Sequence, residues 1–121
     1  MKNDIKVTDT QDLISRLREL ASKGGRLSAI TGVDLGERIE VIYSVDVAYT
    51  LYNVRIEIDL EGEHVSVNDI FANAWMPENE LSEMFGVKIQ GVAGRLLLAP
   101  EDEGKAPLRK ATRIEVLRGG F

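Results

Sequence analysis

The sequence predicts an α+β fold, in which an antiparallel sheet of three to four strands has helices on one face and an extended C-terminal arm follows. Three observations predict it: an apolar stripe with helical spacing near the N-terminus, two segments in which apolar and polar residues alternate, and the loss of regular patterning near residue 93. We therefore divide the chain into an α+β domain, residues 1–93, and a C-terminal arm, residues 94–121.

Residues 8–23 have the pattern of an amphipathic helix. Thr8 and Gln11 fit a capping box, in which the hydroxyl group accepts a bond from a first-turn N–H and the amide reaches back. Gly24-Gly25 ends the helix, because glycine readily adopts left-handed backbone. The residues that share the apolar face are Leu13, Ile14, Leu17, Leu20 and Ala21.

Three strands and a short fourth one follow the helix. The first spans about 26–33, and residues 38–46 and 50–60 alternate apolar and polar side chains. The connection at Val47-Ala48 is short enough for a hairpin, so we expect an antiparallel sheet with one solvated face. After an acidic turn, His64–Val67 is expected to form a short strand. The polar residues on the solvated side of the third strand are Arg55, Glu57 and Asp59.

A second helix is expected around Pro77, because proline suits a first helical turn, where its missing N–H costs little. Asn68–Ala74 could form a helical turn before it. Glu78 and Glu80 favour the positive start of this helix, and Gly86 stops it. The residues expected on its apolar face are Trp75, Leu81, Met84 and Phe85. We assign structural roles to Trp75, Met84, Phe85 and Gly86.

Composition restricts the class of protein. The 121 residues suffice for one domain, and the apolar fraction of 44% is that of a globular protein. There is no cysteine, which excludes disulfides, thiol catalysis and zinc–thiolate or iron–sulfur ligation by this chain. No apolar run approaches the roughly 18 residues of a transmembrane helix, and the polar N-terminus lacks a signal sequence.

The net charge of −5 is unevenly distributed. Residues 1–103 carry ten Lys/Arg and nineteen Asp/Glu, whereas residues 104–121 carry five and one. A basic end on an acidic body suggests that the end contacts something that the body does not. We expect no nucleic-acid partner, because the basic residues are few and the acidic body would repel phosphate.

Few residues are candidates for catalysis or metal binding. His64 follows an acidic turn, so we expect an exposed side chain without a catalytic partner, and one histidine without cysteine makes no zinc site. Glu80 and Glu83 lie three residues apart on the second helix and could pair an acid with a base, although such carboxylates are usually surface residues. Glu101-Asp102-Glu103 lacks the spacing of a calcium loop. We predict no catalytic, cofactor-binding or metal residue in this chain.

Two stretches of the second half, taken together, resemble a known family. They are SVNDIFANAWMPENELSEMFGV and GRLLLAPEDEGKAPLRK, at residues 66–87 and 94–110. They resemble the respiratory-chain NADH dehydrogenase 30 kDa subunit family of complex I, and most of all its relatives in energy-converting, membrane-bound nickel–iron hydrogenases. The residues that match the family pattern are Ser66, Val67, Asp69, Glu78, Glu80, Met84, Phe85, Gly86, Arg95, Leu96, Leu97, Leu98, Pro100, Gly104, Pro107, Leu108, Arg109 and Lys110.

The departures from that pattern point to the hydrogenase branch. Trp75 lies one place before the family's tryptophan, and Gly91-Val92-Ala93 replaces a Gly-His-Pro sequence. Ala106 stands where the family has a histidine, and Ala111-Thr112 replaces the Tyr-Pro that usually follows in complex I.

The resemblance implies a cofactor-free subunit that clamps the large catalytic subunit of an electron-transfer complex. The nickel–iron centre and the iron–sulfur clusters would lie in partner subunits, and partners alone would hold this chain at the cytoplasmic side of the membrane. The residues that we predict at the partner interface are Glu78, Glu80, Arg95, Leu96, Leu97, Pro100, Gly104, Pro107, Leu108, Arg109 and Lys110.

A physical argument supports docking of the C-terminal arm. A segment without hydrogen-bonded structure of its own must find partners for its backbone groups, and Leu96–Leu98 left in water would form an exposed apolar patch. We therefore expect residues 94–118 to lie along another subunit, with Arg109 and Lys110 pairing with its carboxylates. The alternative is that Leu96–Leu98 forms a last strand of the chain's own sheet.

Three other functions remain open from the sequence. The chain could be the 30 kDa subunit of an NADH-quinone oxidoreductase, within the same family. It could be a stand-alone small-ligand binding protein, which requires a concave pocket with convergent polar groups. It could be an acid–base enzyme that uses Glu80 and Glu83.

Overall fold

A mixed sheet carries two helices on one face, which confirms the predicted α+β class. The computed structural model describes residues 3–91 and, for the backbone alone, the strand at 114–118. The elements in chain order are β1 (Asp4–Val7), α1 (Thr10–Ser22), β2 (Arg26–Asp34), β3 (Arg38–Val47), β4 (Thr50–Asp59), β5 (Glu63–His64), a 3-10 turn (Ala72–Ala74), α2 (Trp75–Phe85), β6 (Lys88–Ile89) and β7 (Ile114–Arg118).

The three central strands form the predicted antiparallel sheet. Its order in the described residues is β1-β4-β3-β2-β7, so each edge has a strand that the sequence pattern did not indicate. Strand β1 pairs with β4 in parallel, with Asp4 opposite Asn53, which makes the sheet mixed. β5 and β6 form a separate parallel pair, shorter than the strand predicted at His64–Val67. The 3-10 turn lies within the segment predicted to hold a helical turn.

Helix α1 has the predicted apolar face and a different cap. Leu13, Leu17 and Leu20 are buried against the sheet, and Gly24, with φ of 84°, follows the helix end. The Asp9 carboxylate, rather than Thr8, caps the first turn by accepting the N–H of Asp12 at 2.7 Å. The predicted capping box was therefore wrong by one residue. Aspartate satisfies the same free N–H group and adds a negative charge at the positive helix end.

Helix α2 packs on β2 at a point where the strand has no side chain. A Cβ atom at Gly32 would lie 2.7 Å from the Phe85 ring and 2.9 Å from Leu81, so glycine is required for this close approach. Phe85 is fully buried, and Gly86 ends the helix in left-handed backbone with its N–H bonded to Ser82. The predicted structural roles of Phe85 and Gly86 are confirmed, and Met84 packs at the edge of the same core.

The other face of the sheet is solvated, as predicted. Arg55 on β4 contacts Asp4 on β1 and Glu40 on β3, and Arg38 contacts Glu57 and Asp59. Such exposed ion pairs each contribute little to stability, because water screens them and long side chains lose freedom. The helix face therefore provides most of the apolar burial.

Part of the predicted C-terminal arm lies on the chain's own sheet. The backbone of β7 pairs antiparallel with β2, with Arg118 opposite Ala29 and Ile114 opposite Val33. Residues 94–113, including the alternative strand at Leu96–Leu98, lie outside the described residues. Docking of that part on a partner stays a prediction.

Replacing Phe85 by alanine is expected to destabilise the fold by about 3–5 kcal/mol, because a fully buried ring would leave a cavity against Gly32. Urea unfolding of the two proteins measures this difference. Leu35→Ala is the matched control, since Leu35 is 48% exposed and its truncation should change little. A Phe85→Ala protein as stable as the parent would contradict the packing described.

Candidate interaction site around the second helix

The loop after β5 is attached to α2 by a buried carboxylate. Glu78, in the first turn of α2, accepts the backbone N–H of Val67 at 2.6 Å and the hydroxyl group of Ser66 at 2.7 Å. The Ser66 hydroxyl oxygen in turn accepts the N–H of Asn68 at 3.1 Å. Ser66, Val67 and Glu78 all belong to the sequence pattern identified above. In this chain these three residues form one structural unit.

The position of Glu78 corrects a prediction. We assigned Glu78 to the partner interface, but only 1% of the residue is exposed, and its carboxylate points to the loop. Burial raises the pKa of Glu78, and the bonds from Val67 and Ser66 offset part of that rise. Its carboxylate therefore stabilises the fold and is not available at the surface. Glu80 is half-buried, and its contact with a partner stays a prediction.

His64 was expected to be exposed and is instead buried, with 5% of the residue accessible. Its Nε2 shares a 2.8 Å hydrogen bond with the hydroxyl group of Tyr43 on β3. Burial lowers the pKa of His64 to about 4, so the imidazole is neutral at pH 7, and a proton on Nδ1 lets the Tyr43 hydroxyl group donate. Burial, with a smaller contribution from the charge of Glu78, raises the pKa of Tyr43.

The histidine links the small β5–β6 sheet to the main sheet. Its backbone oxygen accepts the N–H of Gln90 at 2.9 Å, and His64 lies opposite Ile89 in the parallel register. The side chain meanwhile bonds to Tyr43 in the middle of β3. This arrangement gives the histidine a structural role, and the sequence offered no signal for its burial.

Trp75 also differs from its prediction. We expected it on the apolar face of α2, but it is the first residue of the helix and 49% exposed. Its backbone oxygen accepts the side-chain amide of Asn79 at 2.8 Å, which fixes the start of the helix. A half-exposed tryptophan is typical of protein interfaces, where large rings provide much of the contact area. Trp75 therefore belongs to the surface of the site.

An open cleft of about 630 Å³ lies between the start of β2 and the loop before α2. Two polar side chains at its lining are already bonded within the chain: Asn73 donates to the backbone oxygen of Leu27, and Ser28 donates to that of Ser44. A small-ligand site needs polar groups that converge on the ligand. The cleft therefore gives little support to the small-ligand alternative.

Metal and membrane binding were searched for over the same described residues. No group of three or more His, Asp or Glu side chains in residues 3–91 could hold a metal ion. No helix within this part of the chain is long and apolar enough to cross a membrane.

Most of the predicted interface residues cannot be placed. Outside the described residues lie Arg95, Leu96, Leu97, Pro100, Gly104, Pro107, Leu108, Arg109 and Lys110. Their assignment to a partner interface stays a prediction.

The fold and the site define a class of α+β protein in which buried polar residues hold a loop to a helix and aromatic residues lie at the surface. The sequence profile described as "Respiratory-chain NADH dehydrogenase, 30 Kd subunit" matches residues 4–116. The chain belongs to this family, which makes it a subunit of the complex I-like class of respiratory assemblies. The resemblance inferred from residues 66–87 and 94–110 is confirmed.

Two individual proteins are similar to this chain. An NADH-quinone oxidoreductase subunit of Moorella thermoacetica is 30% identical over 121 residues, which cover 93% of this chain and 82% of that protein. A chain in the structure of the membrane-bound sulfane sulfur reductase, an archaeal respiratory membrane complex, superposes with a TM-score of 0.73. It is 23% identical, and the match covers 89% of this chain and 69% of that one. This second likeness shows that the fold is shared.

Removal of the Glu78 carboxylate should destabilise the isolated chain by about 1–3 kcal/mol, because the Val67 N–H would be left buried without its acceptor. We expect Glu78→Ala to lower the urea midpoint and to shift the Val67 amide resonance. Glu78→Gln should cost less, since it keeps one acceptor oxygen. Glu61→Gln, at an exposed position, is the control. Equal stability of Glu78→Ala and the parent would show that these bonds contribute nothing.

Stability should fall on acidification because of His64. Its pKa is about 4 in the folded chain and about 6.5 when unfolded, so the unfolded state binds the extra proton as pH drops below about 6.5. The stabilisation is complete above that pH, and about 2 kcal/mol should be lost between pH 7 and pH 5. His64→Gln, which cannot titrate, should show a flatter pH dependence. An imidazole NMR titration with a midpoint near 6.5 would contradict this account.

Proposed function

We propose that this chain is a non-catalytic subunit of a membrane-bound, energy-converting hydrogenase complex, in which it clamps and stabilises the large catalytic subunit. In this proposal, electron transfer from ferredoxin and ion translocation take place in other chains. The nickel–iron centre and the iron–sulfur clusters belong to those chains as well. Contacts with partners hold this subunit at the cytoplasmic side of the membrane.

The observation that carries the proposal is the use of the buried polar side chains. Glu78 bonds to Ser66 and Val67, and His64 bonds to Tyr43, so both groups are engaged in holding the fold together. A general acid or base must instead reach a substrate atom. In the described residues the family-pattern side chains Ser66, Glu78 and Phe85 therefore support a scaffold better than an active site.

The surface of the site supports a role in assembly. Trp75 exposes about half of its area beside the loop that Glu78 holds in place. The leucine run and the closing basic pair of the family pattern, at residues 94–110, suit an extended contact with a partner. A rigid body with an attached arm can bridge two regions of a large subunit.

The 30 kDa subunit of an NADH-quinone oxidoreductase is the second candidate. The Moorella thermoacetica relative, which is named as a subunit of such an enzyme, favours it. The departures at Ala106 and Ala111-Thr112 favour the hydrogenase branch instead. The two candidates differ in the partner subunits and in the electron acceptor.

Affinity purification of the tagged chain from its native membranes in mild detergent, with mass spectrometry of the co-purifying proteins, tests the proposal. We expect a hydrogenase-type large subunit together with integral membrane subunits. Recovery with flavin- and NADH-binding subunits would support the second candidate. Recovery of the chain alone, as a soluble monomer, would overturn both.

Replacement of Arg109 by alanine should leave the fold of the isolated chain intact and weaken assembly, because it removes a charge from the predicted arm contact. Thermal unfolding of the free protein and the amount retained in the purified complex measure the two effects. Lys105→Ala, which alters a basic residue outside the matched pattern, is the control. Unfolding of the isolated Arg109→Ala protein would contradict the prediction.

A further inference from the structure

The hairpin between β3 and β4 ends in an unusual turn. Val47 lies opposite Thr50 in the register, so Ala48 and Tyr49 alone form the turn. Their φ angles are 49° and 70°, both in the left-handed region. Two-residue hairpin turns favour this geometry, but they normally use asparagine and glycine, because a Cβ atom makes left-handed backbone unfavourable. This turn therefore carries strain at both residues.

Nothing in the described residues offsets that strain. Tyr49 is fully exposed, at 101% of its reference area, so its ring gains no packing within the chain. Leu51, two residues further on, is 48% exposed. A tyrosine at a strained, exposed position costs stability in the free chain without a compensating contact. Strained residues of this kind cluster at functional sites, so the outlier points to a contact outside the chain.

The hairpin holds the tyrosine rigidly. β3 and β4 pair without interruption from Arg38 opposite Asp59 to Val47 opposite Thr50. A ring at the end of such a paired ribbon loses little freedom on binding, since the backbone is already ordered and tyrosine has few rotatable bonds. Tyrosine is also enriched in the buried centres of protein interfaces. The turn thus has the properties of a preorganised anchor.

The charge near the turn favours a protein as its occupant. Arg26 and Asp46 lie opposite each other at this end of the sheet, and their charges offset. A membrane-surface site would need a cluster of basic residues, which the described part of this end lacks. A single projecting ring fits a concave site, and a buried tyrosine hydroxyl group needs a hydrogen-bond partner there.

We propose that the β3–β4 turn inserts Tyr49 into an apolar pocket on another protein subunit of the complex, where a polar group binds the phenolic hydroxyl group. This anchor lies apart from the predicted arm contacts. The inference rests on the proposed function, because it requires that the chain works within an assembly.

The test uses the intact complex purified through a tag on another subunit. Tyr49→Ala should lower the amount of this chain retained after washing at least about tenfold, while Tyr49→Phe keeps most of it. Both variants should match the parent in thermal unfolding as isolated chains. Leu35→Ala, equally exposed at the opposite end of the sheet, should be retained like the parent. A photo-crosslinking residue at position 49 should link to one partner subunit, and at position 35 to none.

Each other outcome overturns the inference in a distinguishable way. Unchanged retention of Tyr49→Ala in an otherwise normal complex would refute the anchor and leave the proposed function standing. Binding of the isolated parent, but not of Tyr49→Ala, to vesicles of phosphatidylglycerol and phosphatidylethanolamine would assign the turn to the membrane. Dimerisation of the isolated chain that Tyr49→Ala abolishes would assign it to a second copy. Absence of the parent chain from any complex would refute the proposed function itself.

Discussion

The buried carboxylate of Glu78 is the interaction on which the site depends. It joins the first turn of α2 to the Ser66-Val67 loop, and a charged or partly charged group at that depth persists only when its hydrogen bonds are satisfied. The same helix is fixed at its other end, where Phe85 and Leu81 lie against Gly32. With both ends constrained, α2 presents Trp75 at a defined place on the surface.

Burial of polar residues inside the fold and exposure of aromatic residues outside it fit a subunit that acts through contacts. Tyr43 and His64 tie the small β5–β6 sheet to the main sheet, as Glu78 ties the loop to α2. These bonds give the matched family residues a structural role in the described part of the chain. Trp75 and Tyr49 instead lie at the surface, where a large ring contributes most if a partner covers it.

Local patterns predicted the elements, and contacts between distant residues decided what they could not. Alternation predicted β3 and β4, and the leucine spacing predicted α1, because each pattern reflects one buried face. Strand β1 was missed because four residues show no clear period, and its partner β4 lies far along the chain. The burial of His64 and Glu78 depends on Tyr43 and on the Ser66 loop, which no local pattern indicates. The family was nevertheless recognisable, because the order and spacing of residues such as Ser66, Glu78 and Gly86 reflect this shared framework.

Hydrogen exchange of the chain, free and within its purified complex, tests the central claim that the family pattern at 66–86 builds the fold and that other surfaces bind the partners. We expect the backbone at 66–86 to be equally protected in both states. New protection on assembly should appear at the β3–β4 turn and at 94–110. Protection of 66–86 that arises only in the complex would contradict the account, because that segment would then be ordered by the partner and not by Glu78.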